Sequence, residues 1–493
     1  MKPDLANYPE IPLGCLINEN KHFNLFQIYR NVKVTDANTG KSSYKRETVG
    51  SIKDGVFTFS KTYLLKQKNK ELSSRILGTE DTAENIDSTN TFTIDGHTKV
   101  HNKLEVAIKK TAIDKRDSIK IEVPMVTIVL GSMMSALTGN TSCTEISDAI
   151  NTRLRDYFLK YIPSIAVASC SHDTVRKALL LLDADSLWSL YTELIASLKQ
   201  DGQRVIAADG QAIRATGKTT SDNENKHGAY MLMNFYDATN RICLYHKLID
   251  KKENEISVGP DALQNLNLQD AVVTADAMSC QINFVETVIK KGAHYCISLK
   301  GNQEKSFDEV RCLFNSVGDA QIIKYEPSLE KDHGRLEEYK IYLLRGSWLS
   351  SIIKEKWMGL EGGSLAKVER KSTKVSTEKE TWEERYYITS IPASKENAPR
   401  VAEVIRQHLS IENQLHWCLD VRFNQDRMQA NNPNYIANRS ALNKLALAYL
   451  QNYRYWLWDH GKEKNLLSIN ILQKRCSDPK IAMECIACGL GVI

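Results

Sequence analysis

No apolar run in this 493-residue sequence is long enough to cross a membrane. The most apolar stretch, IEVPMVTIVLGSMMSAL at 121–137, carries Glu122 and Pro124 and reads as a buried helix. The opening MKPDLANYPE lacks an apolar segment and holds an early Asp and Glu, so no secretory leader is expected. An excess of one charge is missing too. The 65 Lys and Arg stand against 60 Asp and Glu, and a net +5 permits a local basic patch without announcing one. The 11 cysteines show no paired framework, as expected of a reducing cytoplasm. Cys485 and Cys488 are one close pair and, with Cys476 and His460 upstream, are candidate zinc ligands, although structural zinc usually shows two close pairs. The GKTT in the loop 215–228 lacks the upstream Gly and the following helix of a P-loop, which excludes a nucleotide site there.

What is present changes texture along the chain. Residues 1–77 alternate like strands, as in FQIYRNVKVTD, and the polar stretch that opens 78–116 reads as a linker. From 117 to 200 apolar residues recur at helical spacing, with Asp185 a candidate cap. Residues 201–319 alternate short apolar strands with helices, which argues for a mostly parallel sheet covered on both faces. Strand-like segments return over 320–395, helices follow over 396–460, and 461–493 reads as a helical tail.

Three of the apolar strands stop on charge. RVIAA ends at Asp209, AVVTA ends at Asp276 and YCISL ends at Lys300. If the strands are parallel neighbours, their ends share the sheet edge at which such folds place their chemistry. Taken singly, Asp209 also suits a turn with Gly210, and Asp276 suits a helix cap. A third element, 401–421, reads as a helix with an apolar stripe of Val404, Ile411, Leu415 and Cys418. Beside that stripe His408, Glu412, His416 and Asp420 recur every four residues, drifting about 40° per step. That face is either a solvated row of i,i+4 pairs or a metal-binding and catalytic one.

IAADGQAIR, VVTADAMSCQ, YCISLKGNQ, HGRLEEYKIY, EERYYITSI and IRQHLSIENQLHWCLDVRFNQD fall in the order seen in bacterial insertion-sequence transposases. The sequence resembles the ISAs-type branch that includes the H-repeat-associated proteins, over about 117–455. The resemblance implies an α/β, RNase H-like catalytic core, with its first part over 201–319, a β-rich insertion over 320–395 and the catalytic helix within 396–460. The helical region 117–200 and the N-terminal β-rich segment precede this core. Asp209, Asp276 and Glu412 match the catalytic, metal-binding acids, with Asp209 shared by two Mg²⁺ ions (Mn²⁺ as a substitute), Asp276 on one ion and Glu412 on the other. Lys300 and Arg335 lie inside matched motifs as DNA contacts. Asn302, Gln303, Arg214, Lys218, Arg406, His416 and Trp417 are further candidates for DNA binding. Departures from the branch pattern fall at Ile405, His408, Leu409, Ser410 and Leu419.

The implied activity is cleavage and transfer of DNA strands at element ends. The implied partners are element-end and target DNA, in a homodimer or larger assembly, in a bacterial cytoplasm at the nucleoid and without a membrane. A nuclease of the same fold that cuts without joining, and a silent DNA-binding descendant, are the alternatives.

Overall fold

In the computed structural model the described residues are parts of 3–60, then 94–111, 114, 116, 121–199, 203–217, 228–249, 255–327, 330–332 and 335–493. The chain divides into two compact units, Met1–Thr89 and Asn90–Ile493.

In the first unit β1 (Leu16–Asn20), β2 (Leu25–Thr35), β3 (Ser42–Lys53) and β4 (Val56–Phe59) form an antiparallel meander. Alternation sends Ile28, Val49 and Ile52 into a small core with Ile11. Gly50 is required there, because a Cβ would lie 2.3 Å from the Thr58 carbonyl oxygen.

The second unit contains α1 (Ile94–Lys110), which corrects the later part of the expected linker over 78–116; residues 78–93 lie outside the described residues. Val100, Leu104, Ala107 and Ile108 recur at helical spacing and are buried, a signal hidden behind the polar residues that precede it. The apolar stretch at 121–137 forms α2 (Met125–Ala136), buried along its whole length as a helix that is apolar all round must be. α3 (Cys143–Asn151) starts on a capping box of Ser142 and Glu145. α4 (Arg153–Tyr161), α5 (His172–Leu181) and α6 (Ala184–Leu194) follow. The cap of α6 is Asp183, which accepts from the Ser186 amide, and not Asp185, which lies two residues on in the first turn.

The sheet is built from β5 (Val205–Ile213), β6 (Tyr230–Asp237), β7 (Ile242–Ile249), β8 (Val272–Ala275) and β9 (His294–Leu299). α7 (Glu255–Gln264) precedes β8, α8 (Ile282–Lys290) joins β8 to β9, and α9 (Glu304–Ser316) follows β9. The insertion adds β10 (Ile323–Tyr325), β11 (Glu330–Asp332), β12 (Arg335–Arg345), α10 (Ser351–Lys356), β13 (Ser364–Lys374) and β14 (Glu380–Thr389). These ten strands join one sheet in the order β10-β12-β13-β14-β9-β8-β5-β6-β7, with β11 on β12. The mostly parallel sheet expected from the apolar strands is corrected to a mixed one. Among the described residues only β5-β8 and β8-β9 are parallel; β6 and β7 return beside β5 as antiparallel neighbours, and β14 of the insertion pairs antiparallel with β9.

The chain closes with α11 (Ala398–His408), a π-helical turn (Ile411–His416), α12 (Trp417–Arg422), α13 (Pro433–Asp459), α14 (Ile469–Arg475) and α15 (Pro479–Gly489). α11 buries Ala398, Val401, Ala402, Val404 and Ile405 against Val205, Val272, Cys296 and Tyr387 on one sheet face. On the other face Gly259 of α7 lies against Phe284 of α8 and Met233 of β6. No described helix is long and apolar enough to cross a membrane.

Candidate active site

Strand register puts the two aspartates side by side. β5 and β8 run parallel, and their last paired residues are Ala208 and Ala275. One step further along each strand come Asp209 and Asp276. β8 stops there, whereas β5 continues beside β6 to Ile213, so Asp209 lies within a strand and not at its end. Alternation also fixes which face they share. Val205, Val272 and Cys296 pack beneath α11, and Asp209, Asp276 and Lys300 each lie four residues on, so all three emerge on the α11 side. Lys300 Nζ stands 3.6 Å from Asp276 Oδ1. Asp276 also caps the 3₁₀ turn that follows it, accepting from the Ala277 amide, so the capping role and the edge position coexist.

The helix above this edge is pinned at two points. His408 Nδ1 lies 3.0 Å from the hydroxyl of Thr274, two residues before Asp276. His416 Nε2 lies 3.0 Å from Asn234 Nδ2, and its Nδ1 lies 3.6 Å from Asp209 Oδ2. Glu412 is midway between the two imidazoles and exposed, in a stretch wound as a π turn. The wider winding brings residues four apart closer to one line than an α-helix does, and such turns recur at functional sites. Burial keeps both imidazoles neutral, pushing His408 down to about 4 and His416 down to about 3. The Asp276 carboxylate opposes this at His408, and buried Lys444 adds to it at His416.

The other expected site residues scatter. Asn302 Nδ2 donates to the Ala277 carbonyl at 2.6 Å and Gln303 Nε2 to the Cys280 carbonyl at 2.9 Å, so both amides brace the turn after Asp276. Arg214 projects into solvent, 82% exposed, beside Asp426. Arg406 lies over the Tyr339 ring of β12 at 5.7 Å. Arg335 opens β12, three strands away from β9, and donates to the Ser372 hydroxyl at 3.3 Å. Trp417 is half-exposed with Arg422 over its ring. Lys218 lies outside the described residues. His416 is 7% exposed and turns inward, because the sheet-facing side of the helix meets Asp209 and Asn234 there.

Sequence reading missed Asn234, Thr274 and Lys444. Asn234 is the cross-strand partner of Asp209, and His246 is the partner of Asn234 on β7. Lys444 Nζ donates to His246 Nδ1 at 2.7 Å inside the core, and burial lowers this amine to about 8. A lysine among the apolar residues of SALNKLALAYL was the signal available for it.

Residues 200–450, just over half of the chain, match the family described as "Transposase DDE domain". The chain belongs to the DDE transposase family. Two proteins of Escherichia coli K12 are similar to it at length. "H repeat-associated putative transposase YhhI" is 27% identical over 69% of this chain and 88% of its own. "Putative protein YbfL" has the same identity and coverage. Among solved structures, a piggyBac transposase synaptic complex with hairpin DNA aligns over 80% of both chains at 9% identity and a TM-score of 0.39.

Two carboxylates on neighbouring strands, with a third on the helix above, are the oxygen ligands a hard divalent cation prefers. Among the described residues no three His, Cys, Asp or Glu side chains close into a metal-holding set, the three acids and the tail cysteines included.

Proposed function

We propose that this transposase cuts and joins DNA strands at the ends of its insertion sequence, using Asp209, Asp276 and Glu412 to hold divalent cations, Mg²⁺ in the first place. The observation that carries this is the register of β5 and β8, which sets Asp209 beside Asp276 on the face beneath the helix of Glu412. The order β7-β6-β5-β8-β9, antiparallel on one side of β5 and parallel on the other, supports an RNase H-like reading of the core. Cations bound here would lower the pKa of the attacking water or 3′-hydroxyl and stabilise the leaving oxygen. The chain supplies the rest. The apolar strands hold the acids in fixed positions, α11 covers their buried side, and Lys300 places a cation where the phosphate backbone approaches.

The insertion extends this surface. β14 pairs with β9 only over 386–389, so residues 380–385, with their β13 and β12 partners, project beyond the acid edge by roughly 20 Å at ~3.3 Å per residue. This ribbon is read as a wall against which DNA lies, in an assembly of two or more chains, in the cytoplasm.

The test is a cleavage and strand-transfer assay with purified protein, Mg²⁺ and labelled DNA spanning the flanks of the gene. Asp209→Asn, Asp276→Asn and Glu412→Gln are each expected to reduce cleavage by about 10³-fold or more while binding of the ends persists. Full cleavage by any one of them removes that acid from the site. Cutting without joining assigns the protein to the nuclease alternative. Lys300→Ala is expected to weaken DNA binding and to reduce the slope of log affinity against log salt by about one. An unchanged slope and an unchanged rate contradict that role.

A further inference from the structure

We propose that His416 is a positioning residue that orients Asp209, with its ring held by Asn234 of the neighbouring strand. This rests on the reading of Asp209 as a working carboxylate. Asn234 is fully buried, and its side-chain oxygen has no hydrogen-bond partner. Burying an amide in this way is costly unless it directs something, and packing alone would be served as well by an apolar pair. Asn234 Nδ2 can only donate, so the Nε2 it meets at 3.0 Å carries the lone pair and the ring proton resides on Nδ1. That Nδ1–H faces Asp209 Oδ2 at 3.6 Å, about 0.5 Å beyond the range of a closed hydrogen bond. The other tautomer would set a ring lone pair against a carboxylate and an N–H against an N–H.

Strand register makes this possible. Asp209 and Asn234 are directly opposed across β5 and β6, so one ring can touch both. The π turn ends on His416, and Leu415 and Ile411 on the same turn are buried, which fixes the ring's approach. Behind Asn234 the polar line continues through His246 to the Lys444 ammonium group. The Asp209 Oδ1 atom accepts from its own neighbour's amide, Gly210, at 2.9 Å. The backbone amide of Gly210 thus holds one oxygen and His416 faces the other, which biases the carboxylate plane before any cation or DNA arrives.

Two measurements on the full chain test this. In the cation-free protein at pH 7, ¹⁵N NMR of labelled histidine is expected to show His416 in its Nδ1–H form, with a signal that moves in Asp209→Asn. An Nε2–H form, or a signal indifferent to Asp209→Asn, overturns the proposal. In the cleavage assay, His416→Leu is expected to lower the maximal rate by about 10-fold or more and to raise the Mn²⁺ needed for half-maximal rate, with DNA affinity unchanged. His416→Asn, whose amide can stand where Nδ1 stands, is expected to recover most of that loss. A full rate in His416→Leu, or equal failure of both variants with native thermal transitions, overturns it. If the wild type does not cut at all, the activity reading fails, and the NMR measurement still decides whether His416 orients Asp209.

Discussion

Asp420 shows how burial acts on a single residue at this end of the molecule. Its carboxylate accepts from Gln211 Nε2 at 2.9 Å, and Gln425 in turn donates to Gln211. Burial, helped by the charge of Asp426, pushes Asp420 up to about 6. Its folded state therefore binds a proton that the unfolded chain releases near pH 4, and stability falls as pH rises between about 4 and about 6. Asp420→Asn keeps an acceptor for Gln211 and removes this fall. It is expected to raise stability at pH 7 by about 1 kcal/mol, the residue being only half-buried, and to flatten the melting temperature across that window. A variant as pH-dependent as the wild type contradicts the assignment. At this scale Asp209 and Asp276 were legible, because an apolar strand that runs into an acid is conspicuous. Asn234 and the inward turn of His416 were not. Both depend on which residue lies across the next strand, and cross-strand register is not written in local spacing. His408 and His416 looked alike on a helical wheel, yet one meets Thr274 and the other an acid.

Among the elements, the helix that carries Glu412 departs most from simple expectation. Its period from 401 to 421 reads as α-helical, and the structure interrupts it with a π turn between His408 and Trp417. The extra residue lets His408 reach β8 while His416 reaches β5 and β6. Deleting Asn413 is expected to restore α winding and to rotate everything beyond it by about 100°. Such a variant should keep its far-UV circular dichroism and lose cleavage, whereas retained cleavage would show that the turn is incidental. The strands of the insertion were legible from alternation, but their joining to the central sheet was not. β14 adds to β9 through four residue pairs, and nothing in its own sequence names that neighbour. The helix α1 was missed because its polar, Thr-rich approach conceals where the apolar spacing begins.

For the whole molecule, the two units have separate cores. Ile11, Ile28, Val49 and Ile52 make one, while the sheet and its helices make the others. Residues 90–493 alone are therefore expected to unfold cooperatively, with a melting temperature within about 5 °C of that of the second unit in the full chain. A chain that no longer folds without 1–89 contradicts this separation. Family membership was legible from motifs in order, and the mixed sheet was not, since short apolar strands read alike whether their neighbours run parallel or antiparallel. The central claim is that three acids distant in sequence hold cations at one edge. Fe²⁺ in place of Mg²⁺, with ascorbate and peroxide, cuts the polypeptide beside the ion it replaces. The account predicts backbone cuts close to residues 209, 276 and 412 together, all suppressed by excess Mg²⁺ and by Asp209→Asn. Cuts confined to one of these segments, or placed elsewhere in the chain, would contradict it.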